Sequence, residues 1–576
     1  MIKSSKRAQR STPYKKKTGR LKMVRLDMME NPYGSAPSAL KSLRSITEET
    51  VSAYPEYEML IEALASHFRL PKESILVGNG SDEILQSVFD GFCNEEDKVL
   101  IPVPTFPIIP TAAQKCGAKI TTINYNDDLS FPKEEFLKNL ANNPKIAVIV
   151  SPNNPTGTTV DRNFILDTAS HFPKTLFLVD EAYAEYSTNK SLIDEAPKRR
   201  NIIVVRTFSK AYGLAGLRCG WAVSSPEIID VLNKLRAPYC VNSAAATAAK
   251  AALSDQKWLS QVVKKIRSER KRLKASLNLL GFRCTESDAN FLLLYTGKNS
   301  RFITEALESH RILVKNLTDT HKLMEGVLRV TVGSEKDNRL LIRTLRSILP
   351  KSALILDVDG TLVDVCDSYH RVICDTVLNL TGERPSDREI YQLKSGSGYN
   401  DDIDIVCELC CRRGKSITYD EAEKVFNSLY EGSPIGTGAV KSEKLLIDVT
   451  LLKQLSEKFK LALFTGRTRL HLEFAIKRFG IERYFETILT LDEIPKTKRK
   501  PHPYGLFQIM KELGCKQGTY IGDIPDDVQC AKAAGLTAVG VVPPVRKKAI
   551  YRKALQEAGA DFVLQNINDL RRVLYE

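Results

Sequence analysis

Four short apolar segments alternate with helix-forming segments in the first half of this sequence, and this alternation limits the fold most strongly. The apolar segments cover Lys98–Ile101, Lys145–Val150, Thr175–Val179 and Ile202–Val205. Short apolar runs separated by helices predict βαβ units, in which buried strands lie parallel with helices on both faces. We therefore predict an α/β fold with a doubly wound, mainly parallel sheet.

Length and charge set further limits. The chain has 576 residues, too many for one hydrophobic core at about 150 residues per domain. Its net charge is +15, and ten basic side chains precede the first acid, Asp27. Because the basic excess is concentrated in this leading segment, we predict no nucleic-acid binding by the folded body. No apolar run approaches the roughly 18 residues that span a bilayer, so we predict no membrane association.

Residues 1–23 form the basic segment, which we predict to be a disordered tail. It has no apolar core of a secretory signal. Its lysine-rich composition favours a cytosolic tail over an organelle transit peptide, so the expected location is the cytoplasm, with an organelle as the alternative. The twelve cysteines are scattered and predict reduced thiols. Cys407, Cys410 and Cys411 have no second ligand pair at zinc spacing, which favours helix cysteines over a metal site.

One lysine, Lys210, follows the apolar segment Ile202–Val205 in a polar loop of small residues. A desolvated lysine loses its proton easily, and its neutral amine forms a Schiff base with an aldehyde cofactor. Ser209 and Arg218 flank it with a hydroxyl and a guanidinium, which suit a phosphate group. Taken alone, this pattern leaves open a solvated lysine that precedes an ordinary helix.

Polar or aromatic residues also follow the other predicted strands. The Gly78–Glu83 segment combines a glycine loop with a helix start, and the N–H groups there suit an anion. Phe106 offers an aromatic face for a flat ring, and Asn154 offers a carboxamide. Asp180 is either a helix cap or a carboxylate held for a buried cation.

As a set, these segments resemble the pyridoxal-phosphate-dependent aminotransferases of fold type I, and most closely the histidinol-phosphate aminotransferases. The resemblance covers roughly residues 24–350 and rests on these segments: Glu30–Gly34, Tyr54–Pro55, Gly78–Glu83, Pro152–Gly157, Asp180–Tyr183, Ser209–Lys210, Gly216–Gly220, Ala289–Phe291 and Leu328–Gly333. It implies a doubly wound sheet with a small α+β domain, a homodimer, and pyridoxal 5'-phosphate as the cofactor.

The resemblance also implies a role for individual residues. Lys210 would form the Schiff base with the cofactor and carry the proton during transamination, and Asp180 would pair with the ring nitrogen. The remaining cofactor contacts would come from Ser81, Asp82, Ser209 and Arg218 at the phosphate, Asn154, Tyr183 and Phe106 at the ring, and Tyr54 of the second subunit. Tyr33, Lys315 and Arg329 would bind the substrates, with Arg329 taking the carboxylate of glutamate or the phosphate of the second substrate.

Two positions depart from the family pattern. Phe106 stands where the family usually has tyrosine, which removes a hydroxyl but keeps the ring. Lys315 stands where the family usually has a second arginine, so the charge is kept and the two-pronged geometry is lost.

A second chemical motif begins at residue 357, directly after the apolar run Ala353–Leu356. It reads Asp357-Val358-Asp359-Gly360-Thr361. Two carboxylates at this spacing can serve a metal ion and a reacting phosphate together. Asp357 would attack phosphorus, and Asp359 would protonate the leaving oxygen and then activate water.

Three later segments supply further groups for this chemistry. Thr465 follows the apolar run Leu461–Phe464 and offers a hydroxyl, and Lys500 offers a cation before a helix. Asp523 and Asp527 follow the strand-like segment that ends at Gly522, where carboxylates suit Mg²⁺. All of these groups fit the needs of phosphate-ester hydrolysis.

Residues 353–576 resemble the haloacid dehalogenase superfamily of phosphohydrolases, with all four of its motifs present. The resemblance implies a Rossmann-like α/β domain with a helical cap at about residues 366–440. It implies Thr465 and Lys500 as substrate contacts and Mg²⁺ held by Asp357, Asp523, Asp527 and Asp359, the last through its carbonyl. The alternative is a domain that has lost its activity.

The combined prediction is a bifunctional enzyme of histidine biosynthesis that acts on small molecules. It would transaminate imidazole acetol phosphate with glutamate to give histidinol phosphate, and would hydrolyse a phosphate monoester, which we take to be histidinol phosphate. Two alternatives remain open at this point. The first domain could act on another amino acid, such as an aromatic one, and the second could act on an unrelated phosphate ester or be silent.

Overall fold

The computed structural model describes residues 18–349, 351–394, 401–544 and 548–573. Residues 1–17 of the predicted tail and 395–400 of the predicted cap lie outside the described residues. The chain divides into two compact units, one made of residues up to Lys274 together with Cys284–Leu341, the other of Ala275–Arg283 together with residues from Ile342 onward. The domain limits given above, 24–350 and 353–576, stay a prediction.

The strands between residues 18 and 349 are β1 (Val24–Leu26), β2 (Ile75–Gly78), β3 (Lys98–Val103), β4 (Lys119–Asn124), β5 (Ile146–Val150), β6 (Leu176–Asp180), β7 (Ile202–Thr207), β8 (Gly220–Val223), β9 (Arg283–Cys284), β10 (Phe291–Tyr295), β11 (Ile312–Asn316) and β12 (Val327–Thr331). The α-helices of this stretch are α1 (Pro37–Arg44), α2 (Glu48–Ser52), α3 (Glu58–Phe68), α4 (Gly80–Phe92), α5 (Ile108–Lys115), α6 (Lys133–Leu140), α7 (Arg162–His171), α8 (Pro226–Leu235), α9 (Ser243–Ser254), α10 (Gln256–Leu279), α11 (Ser300–Ser309) and α12 (Glu335–Ile348).

Seven of these strands form the main sheet, in the order β2-β8-β7-β6-β5-β3-β4. Only β8 runs antiparallel to its neighbours, so the predicted mainly parallel sheet is confirmed. Successive residues of one strand enter different hydrophobic clusters: Ile149 and Val179 join one, whereas Val148 and Leu178 join the other. Both faces of the sheet are therefore covered, as a doubly wound fold requires.

A smaller mixed sheet has the order β1-β11-β12-β10-β9. β1 runs parallel to β11, and β12 runs antiparallel to both β11 and β10. The register of β11 and β12 sets Lys315 opposite Arg329. This sheet therefore brings together the two basic residues that we predict to bind substrate.

The strands between residues 351 and 573 are β13 (Ala353–Leu356), β14 (Val363–Asp364), β15 (Lys444–Leu445), β16 (Lys460–Phe464), β17 (Thr487–Leu489), β18 (Gly518–Gly522), β19 (Thr537–Val541) and β20 (Phe562–Leu564). The α-helices are α13 (Tyr369–Thr381), α14 (Asp387–Lys394), α15 (Asp402–Cys411), α16 (Tyr419–Glu431), α17 (Val449–Lys458), α18 (Arg469–Phe479), α19 (Tyr504–Glu512), α20 (Pro525–Ala533), α21 (Lys548–Glu557) and α22 (Leu570–Val573).

Six strands of this second group form a parallel sheet in the order β17-β16-β13-β18-β19-β20. The predicted Rossmann-like arrangement is therefore confirmed. The helices α13 to α16 form the cap, which is helical as predicted. The two chain segments that bracket the cap, β14 and β15, pair as a short antiparallel ribbon.

Two structural findings concern the chain as a whole. Among the described residues, every helix is too short or too polar to cross a lipid bilayer. All twelve cysteines lie in described parts of the chain, and none of them forms a disulfide.

Candidate active sites

The first site lies beyond the carboxyl ends of β6 and β7. Asp180 is the last residue of β6, and Lys210 stands in the loop that follows β7. The Lys210 Nζ donates a hydrogen bond to the carbonyl oxygen of Met28 at 3.0 Å and lies 5.7 Å from the centre of the Tyr183 ring. Neighbouring parallel strands end at the same edge of a sheet, which explains why distant segments converge here.

The surroundings move the pKa of two groups in this site toward neutrality. Burial lowers the pKa of Lys210 to about 8, and the positive charge of Arg329 acts in the same direction. Burial raises the pKa of Asp180 to about 7. The lysine can therefore supply a neutral amine near neutral pH, and the buried carboxylate is stabilised best by a cationic partner.

Four of the predicted phosphate contacts lie around the start of α4, which begins at Gly80. The Arg218 Nη2 donates to the Asp82 Oδ2 at 2.9 Å, and its Nη1 donates to the Ser209 Oγ at 3.3 Å. Ser81 is the second residue of the helix. Gly80 has a φ of +80°, and a Cβ at this position would overlap the Arg218 guanidinium. A helix start with a guanidinium and two hydroxyls beside it fits a phosphate group.

Asn154 links the ring-binding and substrate-binding residues. Its Oδ1 accepts a hydrogen bond from the Arg329 Nη1 at 2.5 Å, and its Nδ2 donates to the Tyr183 hydroxyl at 3.3 Å. The Arg329 Nη2 also donates to the carbonyl oxygen of Asp27 at 2.9 Å. The guanidinium is thereby oriented by the protein, although it is buried.

Lys315 lies across the sheet from Arg329, half-buried. Its pKa is lowered by burial first and by the charge of Arg329 second. Two basic side chains next to each other repel unless an anion is bound between them. The pair is therefore suited to a substrate phosphate or carboxylate.

The structure does not bring the other three predicted contacts into hydrogen bonds with this group of residues. Phe106 is partly buried against the hydrophobic cluster on one face of the main sheet. The Tyr33 ring lies 5.4 Å from the Lys265 Nζ. Tyr54 is 77% exposed and stacks on Tyr239 with ring centroids 4.5 Å apart. Their roles stay predictions.

The donor set of this first site fits pyridoxal phosphate. Lys210 provides the amine for the aldehyde, Asp180 provides the carboxylate for the ring nitrogen, and the cradle around Gly80 provides groups for the phosphate. The assignment of each residue to one part of the cofactor stays a prediction.

The second site lies at the carboxyl ends of the adjacent parallel strands β16, β13 and β18. Asp357 follows β13 directly, Thr465 follows β16 directly, and Asp523 follows β18 directly. The Lys500 Nζ donates to the Asp357 Oδ1 at 2.7 Å and to the Asp527 Oδ1 at 2.8 Å. Four of the predicted motifs therefore meet at one edge of the sheet.

Three carboxylates of this site could hold a metal ion. One oxygen atom from each of Asp357, Asp523 and Asp527 lies within 4.8 Å of the other two. Burial raises the pKa of Asp357 to about 7, and the nearby Asp527 adds to this effect. Gly360 has a φ of +70°, and a Cβ there would overlap the Asp523 carboxylate. Three neighbouring carboxylates repel each other unless a cation is bound between them, and their oxygen atoms are suitable ligands for Mg²⁺.

The Asp359 carboxylate points elsewhere. Its Oδ1 accepts hydrogen bonds from the Arg467 Nε at 2.8 Å and from the Arg467 Nη2 at 2.5 Å. The carboxylate therefore stands apart from the three-carboxylate group, and a metal contact through the Asp359 carbonyl stays a prediction.

Thr465 is buried, and its Oγ1 accepts a hydrogen bond from the Arg467 backbone N–H at 3.2 Å. No role for Arg467 is predicted from the sequence, although it stands two residues after Thr465.

The second site opens into a cavity of about 360 Å³ that includes Asp357, Asp359, Lys500 and Asp523 in its wall. Helix α16 contributes Glu423, Asn427 and Glu431 to the same wall, together with Phe426. Residues at i, i+4 and i+8 share one face of a helix, so the spacing of Glu423, Asn427 and Glu431 is a sequence signal for one polar helix face. Tyr369 and Tyr419 add aromatic rings to the wall, and Asp401 and Asp402 add carboxylates.

Several acids of this wall contact other protein groups, whereas, among the described residues, Glu423 does not. The Glu431 Oε1 lies 3.1 Å from the His471 Nε2, and Asp401 accepts from Tyr419 and Arg499 at 2.9 and 3.0 Å. Within the described parts of the chain, the Glu423 carboxylate has no hydrogen bond or ion pair. It is therefore available to a ligand in the cavity.

Comparisons with known proteins agree with the division into two units. A family model for aminotransferase class I and II matches residues 22–345, which is more than half of the chain. A model for haloacid dehalogenase-like hydrolase matches residues 445–541, a segment that contains Thr465, Lys500, Asp523 and Asp527. Asp357 and Asp359 precede the matched segment.

Several curated proteins and solved structures are similar to the first unit. Histidinol-phosphate aminotransferase 1 of Trichormus variabilis is 34% identical over 330 residues, which are 57% of this chain and 92% of that protein. The histidinol-phosphate aminotransferase of Caldanaerobacter subterraneus is 35% identical over 344 residues, or 59% and 94% of the two chains. The crystal structure of histidinol-phosphate aminotransferase from Sinorhizobium meliloti in complex with pyridoxal-5'-phosphate matches with a TM-score of 0.57 and 25% identity, and covers 61% of this chain and 99% of that one.

Proposed function

This chain belongs to the class I and II aminotransferases and carries a haloacid dehalogenase-like hydrolase domain, and on this premise we propose that it catalyses two consecutive steps of histidine biosynthesis. The first is the transfer of an amino group between L-glutamate and imidazole acetol phosphate, which gives L-histidinol phosphate and 2-oxoglutarate. The second is the hydrolysis of histidinol phosphate to histidinol and inorganic phosphate. The likeness to the aminotransferases of Trichormus variabilis and Caldanaerobacter subterraneus supports the first step.

In the first step, the residues around Lys210 bind, orient and move a proton. Pyridoxal phosphate, when bound, supplies a ring that accepts electrons. Asp180 would hold the ring nitrogen in its cationic form. Lys210, with its pKa near 8, would carry a proton between the substrate Cα and the C4′ atom of the cofactor. Arg218, Ser209, Ser81 and Asp82 would hold the cofactor phosphate.

Arg329 and Lys315 would select the substrates of this first step. Glutamate and imidazole acetol phosphate carry different anions, a carboxylate and a phosphate, and both suit a guanidinium. Arg329 is held by Asn154 and by the backbone of Asp27. It can therefore offer the same geometry to both substrates, while Lys315 adds charge for the phosphate.

In the second step, an Asp357 oxygen would attack phosphorus as the bond between phosphorus and the alkyl oxygen breaks, and Asp359 would give its proton to that oxygen. Water would then attack the phosphoryl group on Asp357, lose a proton to Asp359, and release inorganic phosphate. Lys500 would offset the negative charge beside Asp357. Mg²⁺, when held by Asp357, Asp523 and Asp527, supplies further positive charge for the phosphate oxygens.

The observation that carries histidinol phosphate as the substrate is the acidic and aromatic wall of the hydrolase cavity. Lys500 and Asp357 define the phosphate end, while Glu423, Asn427 and Glu431 of the cap helix line the same cavity. Histidinol phosphate carries an ammonium group and an imidazole ring. Carboxylates attract the ammonium, and aromatic rings such as that of Phe426 pack against an imidazole.

The assembly and the location of the protein also belong to this proposal. We propose a homodimer in which Tyr54 reaches the cofactor phosphate of the second subunit, since Tyr54 is 77% exposed and has an exposed aromatic neighbour, Tyr239. We also propose the cytoplasm as the location. The composition of the basic tail supports it over an organelle.

The test is a coupled assay on the purified full-length protein with pyridoxal phosphate and Mg²⁺. Histidinol phosphate and 2-oxoglutarate are supplied, and glutamate and inorganic phosphate are measured separately. We expect both products, with glutamate lost in Lys210→Ala and phosphate lost in Asp357→Asn. Each variant is the control for the other, because each removes one reaction only.

Two outcomes would contradict the proposal. Glutamate formation from phenylalanine or tyrosine, without any from histidinol phosphate, would assign the first unit to aromatic amino acids. Glutamate without inorganic phosphate would show that the hydrolase domain acts on another ester or has lost its activity.

A further inference from the structure

Arg467 links Asp359, in the segment that follows β13, to the cap of the hydrolase domain, and its side chain is fully buried. The Arg467 Nε and Nη2 donate to the Asp359 Oδ1 at 2.8 and 2.5 Å. Its Nη1 and Nη2 donate to the Oε2 and Oε1 of Glu443 at 3.2 and 3.0 Å. A fifth hydrogen bond runs from Nη1 to the Tyr430 hydroxyl at 3.2 Å. A guanidinium has five N–H groups, so each of them has a partner here.

The cap side of this network begins at Glu443, whose side chain is 1% exposed. Glu443 also accepts hydrogen bonds from the Tyr430 hydroxyl at 2.9 Å and from the Ser368 Oγ at 3.2 Å. It directly precedes β15, which pairs with β14 where the chain enters and leaves the cap. Tyr430 is near the end of the cap helix α16. Arg467 therefore contacts both Glu443, next to the β14–β15 ribbon, and the last turn of the cap helix α16.

The catalytic side of the network leaves one oxygen of Asp359 for chemistry. Both contacts from Arg467 reach Oδ1. Across the described residues, Oδ2 accepts no hydrogen bond. The Asp359 side chain is 28% exposed and lies in the wall of the cavity. The geometry fixes the carboxylate by one oxygen and presents the other to a bound ester.

We infer that Arg467 is a positioning residue with two effects. It holds Asp359 so that Oδ2 gives its proton to the leaving oxygen and then takes one from water. Through Glu443 it also couples the position of Asp359 to the position of the cap. This inference rests on the proposed phosphatase function. Without the two hydrogen bonds from the Arg467 guanidinium, the Asp359 carboxylate would be mobile, and a misplaced proton donor contributes much less to the reaction rate.

The test compares Arg467→Lys with wild type on two aromatic esters, p-nitrophenyl phosphate and phenyl phosphate. The nitrophenolate leaves well without a proton, whereas the phenolate needs one. The value of kcat/KM covers the steps up to departure of the leaving group. General acid catalysis contributes roughly 10²- to 10⁴-fold, so we expect the loss with phenyl phosphate to exceed the loss with p-nitrophenyl phosphate by about tenfold or more.

The matched control is Arg469→Lys. Arg469 lies two residues away and pairs with Glu493 and with a backbone carbonyl, outside the cavity wall. We expect the same kcat/KM as wild type on both esters. Equal losses on the two esters in Arg467→Lys would overturn the positioning role of Arg467.

Coupling to the cap is measured by amide hydrogen exchange of peptides from residues 419–431 and 439–446. We expect faster exchange of both peptides in Arg467→Lys than in wild type and Arg469→Lys. Glu443→Gln keeps the contact between Arg467 and Asp359, so it should speed exchange of the same peptides with little change in the preference between the two esters. Unchanged exchange in both variants would overturn the coupling.

The two proposals fail in different ways. A wild-type protein that releases no inorganic phosphate from histidinol phosphate or from either aromatic ester with Mg²⁺ refutes the phosphatase function and, with it, the role of Arg467 in proton transfer. The exchange experiment needs no activity, so it decides the coupling of Arg467 to the cap in either case.

Discussion

The raised pKa of Asp180 predicts a loss of stability with rising pH in the cofactor-free protein. Asp180 is 3% exposed, and burial raises its pKa from 3.8 to about 7. Between these two values the folded state binds more protons than the unfolded state, so the free energy of unfolding falls as the pH rises. A shift of this size corresponds to about 4 kcal/mol in total.

Most of this change in the free energy of unfolding falls in a pH range that is accessible to experiment. For a group that titrates near 4 when unfolded and near 7 when folded, we expect about 3 kcal/mol of lost stability between pH ~5 and pH ~8. In Asp180→Asn the side chain no longer titrates, so this part of the pH dependence should disappear. Bound pyridoxal phosphate should reduce the effect in the wild type, because a ring cation beside Asp180 stabilises its charged form.

Urea unfolding followed by tryptophan fluorescence is the assay. Both tryptophans, Trp221 and Trp258, lie in the first unit, so the signal reports the unfolding of that unit alone. Asp230→Asn is the matched control, since Asp230 is an exposed acid that pairs with Lys234 on the surface of α8. The reasoning is refuted if Asp180→Asn and Asp230→Asn show the same pH dependence as wild type.

Three further predictions concern the substrates. Joint replacement of Glu423 and Glu431 by glutamine should raise the KM for histidinol phosphate in the phosphatase assay by about tenfold, which corresponds to the loss of roughly 1.4 kcal/mol of attraction. The KM for p-nitrophenyl phosphate should stay unchanged, and equal effects on the two esters would refute a cation-binding wall. Lys315→Arg should lower the KM for histidinol phosphate in transamination several-fold, because arginine offers two parallel hydrogen bonds; an unchanged KM would show that Lys315 does not contact the phosphate. Lys500→Met should lower kcat for phosphate release by about 10²-fold or more with transamination unaffected, and a phosphatase rate near that of wild type would exclude Lys500 from the site.

The main sheet and the placement of several site residues could be predicted from the sequence because they depend on local patterns. A buried parallel strand is a short apolar run, and the run Ile202–Val205 identifies β7 without knowledge of its neighbours. The loop after such a strand begins at the carboxyl edge of the sheet. Lys210 and Asp357 follow this rule, and the structure places them at such an edge.

The network around Arg467 could not be predicted in the same way. Arg467 is 108 residues from Asp359 and 24 residues from Glu443 in the chain, and no local pattern links them. Their contact depends on how the cap folds back over the sheet. The cap wall is an intermediate case, since the spacing of Glu423, Asn427 and Glu431 shows that they share a helix face but not that this face lines the cavity.

The charges of the two sites differ in sign, and this difference bears on the order of the reactions. In the first site, the charges of Arg329 and Arg218 act on Lys210, and Lys315 lies beside Arg329, while Asp180 and Asp82 are the acids. Such a site attracts the anionic end of a substrate. The phosphate of histidinol phosphate is therefore the group that we expect the first unit to recognise.

In the second site, carboxylates outnumber cations. Lys500 pairs with Asp357 and Asp527, which lie close to Asp523, while Asp359 and Glu443 share Arg467. A phosphate dianion adds further negative charge, so we expect the second site to bind it only when a divalent cation is present. The remaining negative charge, on Glu423 and its neighbours, then favours a substrate whose other end is positive. An amino group added in the first step creates such an end, because imidazole acetol phosphate carries a ketone where histidinol phosphate carries an ammonium. The hydrolase should therefore reject the ketone and accept the amine, which would make transamination the step that precedes hydrolysis.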